Sequence, residues 1–153
     1  MKLQIVISLL LVLFSQVTVA DGREPSIDAA AARYVPGVSW RADSVVSGDF
    51  SCRSRAEQAI LGTNRTELVV AVFLNGTNRR PQVLRYSAKV RNPSSTTLEA
   101  EDLDYDPKED VGYVLPGFRR SKTCKGLKLN DGRTDSPHIY WNHNSHRFED
   151  WLR

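Results

Sequence analysis

Hydrophobic residues along this chain fall into short runs separated by turn residues, a pattern that predicts strands rather than long helices. The densest run is 67–74, ELVVAVFL. It is rich in β-branched and aromatic residues and nearly continuous in apolar character, so both faces of this strand are expected to be covered. A shorter run, 58–61, precedes it and ends at Gly62. Asn75-Gly76 follows, a pair that favours a tight hairpin turn. Residues 82–88 (QVLRYSA) then alternate, with Val83, Arg85 and Ser87 on one side and Leu84, Tyr86 and Ala88 on the other. Three such strands joined by short turns make an antiparallel meander. Its expected core is Ile60, Leu68, Val70, Val72, Leu84 and Tyr86, with Trp141 and Trp151 packing at the margins.

The remaining elements are shorter. Ser26 is placed to cap an alanine-rich helix running to Arg33, stopped by Pro36-Gly37. It carries few large apolar residues, so weak docking is expected. After a polar loop at 91–97, residues 98–105 predict a strand, 106–112 an acidic turn, and 113–115 a short strand ended by Pro116-Gly117. Residues 126–129 and 138–141 (HIYW) predict a hairpin across Asn130-Asp131-Gly132. The tail 145–152 predicts one or two helical turns, with Ser145 as cap and Phe148, Trp151 and Leu152 on one face. The fold class is mainly β, bordering on α+β: a small antiparallel meander or sandwich with short helical turns at both ends.

The N-terminus changes where this fold begins. Lys2 precedes an apolar stretch, 3–14, interrupted only by Gln4 and Ser8, and Thr18 and Ala20 stand at −3 and −1 to a cut before Asp21. That is the layout of a cleaved signal peptide. The apolar stretch is shorter than the roughly 20 residues a membrane span needs, and no cysteine follows it to carry a lipid. Residues 21–153 are then one small exported domain, periplasmic or secreted, of about 130 residues, enough for a real core. With 21 Lys and Arg against 18 Asp and Glu, charge is near balance and gives no argument for nucleic acid or an anionic membrane as partner. Export also decides the cysteines. Cys52 and Cys124 are the only two, and in an oxidising compartment they are expected to pair, closing a loop of about 70 residues at a gain of about 4 kcal/mol on the chain-entropy account.

Gly48-Asp49-Phe50, followed by Glu57, Ala59, Ile60 and Leu61, resembles the loop-and-strand signature of FG-GAP (VCBS-type) repeats over residues 48–61. The resemblance implies a blade-like antiparallel sheet, though a chain this size cannot supply a whole propeller. In that family the loop offers oxygens to calcium at the positions held here by Asp49, Ser51, Arg53 and Glu57. Arg53 places a fixed positive charge among them and Ser54 replaces a glycine, so calcium, which takes six to eight oxygen ligands, is not expected. The expectation is instead that the Arg53 guanidinium stands in for the cation among Asp49, Glu57 and Ser51.

Other chemistry is sparse. Asp102, Asp104 and Asp106 recur at period two but lack the EF-hand pattern, since Pro107 and Tyr113 occupy key positions; a solvated acidic edge is expected. His138, His143 and His146 are the histidines available for a metal such as zinc, with Glu149 and Asp150 near in sequence but no cysteine at ligand spacing; no metal or other cofactor is expected. The basic stretch 118–125 offers Arg119, Arg120, Lys122 and Lys125 either as a partner patch or as a solvated loop beside the disulfide. Asn64-Arg65-Thr66 and Asn75-Gly76-Thr77 match the glycosylation acceptor pattern. No nucleophile elbow or glycine-rich phosphate loop is present. These features favour a small exported binding protein whose partner is another protein of the envelope or extracellular space, in the manner of an inhibitor, an immunity protein or an envelope accessory factor. The alternative is a small hydrolase or metal-dependent enzyme using the C-terminal His, Asp and Glu residues. N-terminal sequencing of the exported protein should read from Asp21; a start at Met1 would refute the signal.

Overall fold

The computed structural model describes residues 24–89, 92–132 and 135–152; the leader, residues 1–20, lies outside them. The elements are helix α1 (Ile27–Tyr34), strands β1 (Ser39–Trp40), β2 (Val46–Gly48), β3 (Glu57–Thr63), β4 (Glu67–Phe73), β5 (Gln82–Ser87) and β6 (Thr97–Leu103), helix α2 (Lys108–Val111), and strands β7 (Ser121–Asn130), β8 (Pro137–Asn142) and β9 (Arg147–Leu152). They form two antiparallel sheets. The first runs β1-β3-β4-β5, with β2 also on β3; the second runs β6-β7-β8-β9. The protein is mainly β, with one disulfide.

The two sheets share one core. Leu61, Leu68, Val70 and Val72 of the first sheet meet Leu98, Leu127, Leu129, Ile139, Trp141 and Phe148 of the second, with Phe50 from the β2–β3 loop between them. Leu84 and Tyr86 pack at its edge. Ile60 does not belong to it. Neighbouring strand residues point to opposite faces, and Ile60 joins Ala71 and Phe73 on the outer face, under Ile27, Ala30 and Ala31 of α1. The alanines are the reason the helix docks firmly despite its small side chains: without bulk, its backbone comes close to the sheet. The continuous apolar run of β4 thus has both faces covered, by the second sheet and by α1.

The second sheet is covered in the same way. Every residue of β8 is buried. Ile139 and Trp141 face the shared core, while Tyr140 packs outward with Trp151 and Leu115, flanked by Tyr105, Val111 and Phe118 of the β6–β7 connection. That connection wraps across the outer face. Its ends differ from the sequence expectation: residues 108–111 are helical within the acidic turn, and 113–115 form no strand, because their role is to cover a sheet rather than to pair in one. A second correction concerns the tail. Residues 147–152 are strand β9, not a helical turn, pairing with β8 from Asn142↔Arg147 to Pro137↔Leu152. Phe148 faces the shared core while Trp151 packs into the outer cluster; period two separates these residues where a helix would have grouped them.

Three devices tie the layers. Cys52 and Cys124 are bonded, joining the β2–β3 loop to β7 with their Cα atoms 5.1 Å apart. Gln82 on β5 accepts from the Phe148 amide (3.0 Å) and donates to the His146 carbonyl (3.3 Å), bridging the sheets at their β5–β9 edge. Over the outer face, the Tyr140 hydroxyl lies 3.0 Å from the Pro116 carbonyl and 3.2 Å from Glu149 Oε2, sharing one proton between two acceptors. The neighbouring Gly117 carbonyl accepts from the His143 amide. Gly117 has a positive φ of 64°, and a Cβ there would fall 1.9 Å from Asn142 Oδ1, so only glycine permits this approach.

Burial, then the nearby Glu149 carboxylate, raises the Tyr140 pKa above that of a free phenol. The folded state therefore holds the proton while the unfolded chain releases it near pH 10. The stability this provides is complete below about pH 10 and is lost as pH rises further. Tyr140→Phe should cost about 1 kcal/mol near neutrality. In urea titrations its deficit against the wild type should shrink between pH 9 and 11. A deficit constant over that range would contradict the raised pKa.

Candidate functional site

The β2–β3 loop holds the expected cation substitute, with a different division of labour. Glu57 opens β3 with its side chain fully buried. Its Oε2 accepts from the Ser51 amide at 2.8 Å, and its Oε1 accepts from Arg53 Nη2 at 3.0 Å and lies 3.8 Å from Arg55 Nε. Arg53 Nε donates to Ser51 Oγ at 2.7 Å. The guanidinium thus meets Glu57 and Ser51. The Asp49 carboxylate is occupied by backbone: it accepts from the amides of Arg53 and Ser54, both at 2.8 Å. A carboxylate at a turn captures nearby N–H groups more readily than a distant guanidinium. Cys52 and Ser54 both adopt positive φ, 57°, a conformation that side-chain-bearing residues rarely take. The loop is self-satisfied and serves the fold.

The acidic and basic stretches turn out to be partners. Residues 121–130 are strand β7, not a loop, and β7 lies antiparallel to β6 with Asp102 opposite Lys125. Lys125 pairs with Asp102, and Arg120 Nε with Asp104 Oδ1 at 2.7 Å. Asp106 turns inward to accept from the Lys108 amide at the start of α2. Of the basic stretch, Arg119 and Lys122 remain exposed. The histidines do not converge either. His138 begins β8, while His143 and His146 lie in the turn beyond its far end, about 15 Å away by strand rise. Among the described residues no group of three or more His, Cys, Asp or Glu is placed to hold a metal. The two acceptor tripeptides are built into turns: Asn64 Oδ1 accepts from the amides of Thr66 and Glu67, and the Thr77 hydroxyl donates to the Pro25 carbonyl.

What the topology does assemble is a row across the outer face of the second sheet. Period two puts Glu101 of β6, Lys128 of β7, His138 of β8 and Trp151 of β9 on the face opposite the shared core. Trp151 is directly across from His138, and their rings stack at 4.5 Å and 17°. Glu101 is opposite Gly126 and reaches past it to His138, whose Nδ1 lies 2.8 Å from Glu101 Oε2. A carboxylate only accepts, so Nδ1 donates. A Cβ on Gly126 would stand 3.2 Å from Glu101 Cγ and 2.9 Å from the Ile139 carbonyl; the glycine clears the path between strands that are not neighbours.

This row floors a cavity of about 410 Å³ beneath the β6–β7 connection. The floor is largely buried: the side chains of Glu101 and His138 are 15% and 8% exposed, and Trp151 is 5% exposed. Glu101 Oε1 and Trp151 Nε1 are buried with no hydrogen-bond partner among the described residues. An orphaned buried polar atom costs about 1–3 kcal/mol, and such atoms concentrate where a structure is built for something other than its own stability. Tyr105 forms a wall, its ring 6.2 Å from that of Trp151. Exposed Asp102, Asp106, Glu109 and Asp110 form the rim, with Lys128 the one lysine lining the cavity. A larger hollow of about 560 Å³ lies beside Gly37 and the 63–66 turn, where the side chains of Asn64 and Thr66 are engaged in the turn itself.

Sequence reasoning missed this site because its members are scattered over four strands. Glu101 is an ordinary strand glutamate in sequence, and Trp151 reads as core. One signal was present: HIYW alternates polar and apolar residues less sharply than a one-sided strand, which marks a strand covered on both faces.

Comparison with protein families, curated proteins and solved structures finds no match to this chain. The likeness of residues 48–61 to an FG-GAP repeat therefore rests on those residues alone, and the loop can be tested directly. Arg53→Met leaves the buried Glu57 carboxylate short of its closest cation and should lower stability by about 1–3 kcal/mol, measured by urea denaturation. Wild-type melting should be indifferent to chelator and to added calcium. A neutral Arg53→Met would show that Arg55 and the Ser51 amide suffice for Glu57.

Proposed function

We propose that this is an exported binding protein that recognises a cationic group of a partner protein in the acid-rimmed cavity over its second sheet. The observation that carries this reading is the unpartnered Glu101 Oε1 in the Glu101–His138–Trp151 floor, set beneath a rim of carboxylates. The carboxylates and the aromatic rings suit a cation, while the Trp151 N–H, a donor, matches an acceptor such as a backbone carbonyl beside it. Glu101 has one oxygen held by His138 and one oxygen unused, which matches a donor on the ligand. Tyr105 and Trp151 supply aromatic surface, to which cations are attracted. The cavity lies within the size range of small-ligand sites, about 300–1,000 Å³, and accommodates a lysine or arginine side chain. An anion meets repulsion from every rim residue except Lys128.

The signal-like leader supports an extracytoplasmic setting. The disulfide agrees with that setting.

The Trp151 indole N–H is a direct reporter. In ¹H–¹⁵N spectra its signal should shift saturably on titration with N-acetyl-arginine amide or N-acetyl-lysine amide, and not with N-acetyl-glutamine amide. Affinity should fall as salt rises. Glu101→Gln should weaken binding at least about fivefold, the loss of one charge-assisted hydrogen bond. A Trp151 signal unmoved by any cation would refute the reading.

A further inference from the structure

The cavity is not isolated. Tyr105 and Asp106 line it and also line a second hollow, of about 280 Å³, bounded otherwise by Pro107, Val114, Leu115, Phe118 and Arg120. The second hollow carries four apolar or aromatic side chains beyond Tyr105, namely Pro107, Val114, Leu115 and Phe118, and its one cation, Arg120, is paired with Asp104. Beside it stand Tyr113 and Val114, exposed by 57% and 73%. Val114 is the most exposed of the large hydrophobic residues described, and both lie on the segment that covers the sheet. That segment spends Leu115 and Phe118 inward while presenting apolar surface outward as well.

We propose that the partner is an extended polypeptide carrying a basic residue and, two positions along, an apolar one: the basic side chain enters the acidic cavity and the apolar side chain settles in the Val114–Phe118 hollow. This rests on the cavity reading above and specifies its occupant. The spacing follows from geometry. The two hollows share a wall of two side chains, Tyr105 and Asp106, so they adjoin. In an extended chain residues i and i+2 project to the same side, about 7 Å apart, whereas i and i+1 project to opposite sides. The charges select the class of partner. A rim of carboxylates repels anionic lipid surfaces and nucleic acid, both of which would otherwise compete for a surface with exposed hydrophobic groups. A small amine would leave the second hollow unused.

Three acetylated and amidated pentapeptides separate the possibilities: Gly-Arg-Gly-Leu-Gly, Gly-Arg-Gly-Gly-Gly and Gly-Gly-Gly-Leu-Gly, titrated against the mature protein with the Trp151 indole N–H and Val114 methyl signals as readouts. The first should bind at least about tenfold more tightly than the second and shift both signals. The third should bind weakly or not at all. Val114→Ser, at a site exposed enough to leave the fold intact, should abolish the advantage of the first peptide over the second while leaving the second unchanged. Glu109→Gln, also exposed, should weaken both arginine peptides. If the two arginine peptides bind equally and both move Trp151, the cavity accepts cations but the apolar half of the proposal is wrong. If a fourth peptide, Gly-Arg-Leu-Gly-Gly, binds more tightly than Gly-Arg-Gly-Leu-Gly, the spacing is wrong. If no arginine peptide moves Trp151, the cavity reading itself fails and this proposal with it.

Discussion

The structure depends on covering two sheets on both faces. Two small sheets packed together bury one face each. Here the outer faces are apolar as well: Ile60, Ala71 and Phe73 on one side, Tyr140 and Trp151 on the other. Apolar surface gains about 25 cal/mol for each Å² removed from water, so an uncovered outer face forgoes stabilisation and offers a sticky surface. The first sheet solves this with a regular element. Ala30 and Ala31 bring α1 against the strands with almost no exposure, and the result is a closed layer. The second sheet solves it with an irregular segment. A wrapping chain cannot follow a pleated surface as closely as a helix can, and it carries backbone polar groups that need partners. The cavity lies where that fit is incomplete, and the residues beneath it are polar rather than apolar.

That difference explains why the same architecture is inert on one side and chemically rich on the other. The wrapping segment is held at its distal end by Tyr140, Gly117 and the β8–β9 turn, and at its near end by the β6–β7 ladder. Between these anchors Tyr105 and α2 span the sheet over Glu101 and His138. Anchors at both ends let the middle stand off from the sheet without unravelling. The disulfide adds a constraint beneath it, since Cys124 lies on β7 and ties that strand to the loop ordered by Asp49, Arg53 and Glu57. Scaffold and site are therefore coupled through β7: the strand that carries the disulfide also supplies Gly126, across which Glu101 reaches His138.

How much of this was legible in the sequence follows from the range of each signal. The β3–β4–β5 meander was readable because its information is local: β-branched runs, Asn-Gly, strict alternation. The two-sided burial of β4 was readable from its missing polar phase. The tail was misread as helical because Phe148, Trp151 and Leu152 fit a helical spacing in a segment too short to decide between periods, and pairing with β8 then settled it. The fate of the charged stretches was hidden for a different reason. Asp102 and Lys125 are far apart in sequence, and their neutralisation depends on β6 and β7 being adjacent, which neither stretch states. The site was hidden most completely, since its four members occupy four strands and its key feature, the gap at Gly126, is the absence of a side chain.

Charge balance along the chain also conceals a local imbalance with consequences. Overall the cations slightly outnumber the anions, yet pairing distributes them unevenly. Lys125 and Arg120 neutralise Asp102 and Asp104. Asp106 accepts from the Lys108 amide, which supplies a dipole and no net charge. Glu109 and Asp110 extend the acidic rim, and Glu101 lies beneath it with a histidine for company. The negative charge therefore gathers around this cavity, over the largely buried side chains of Glu101, His138 and Trp151. A nearly neutral protein can in this way present one strongly polarised cavity.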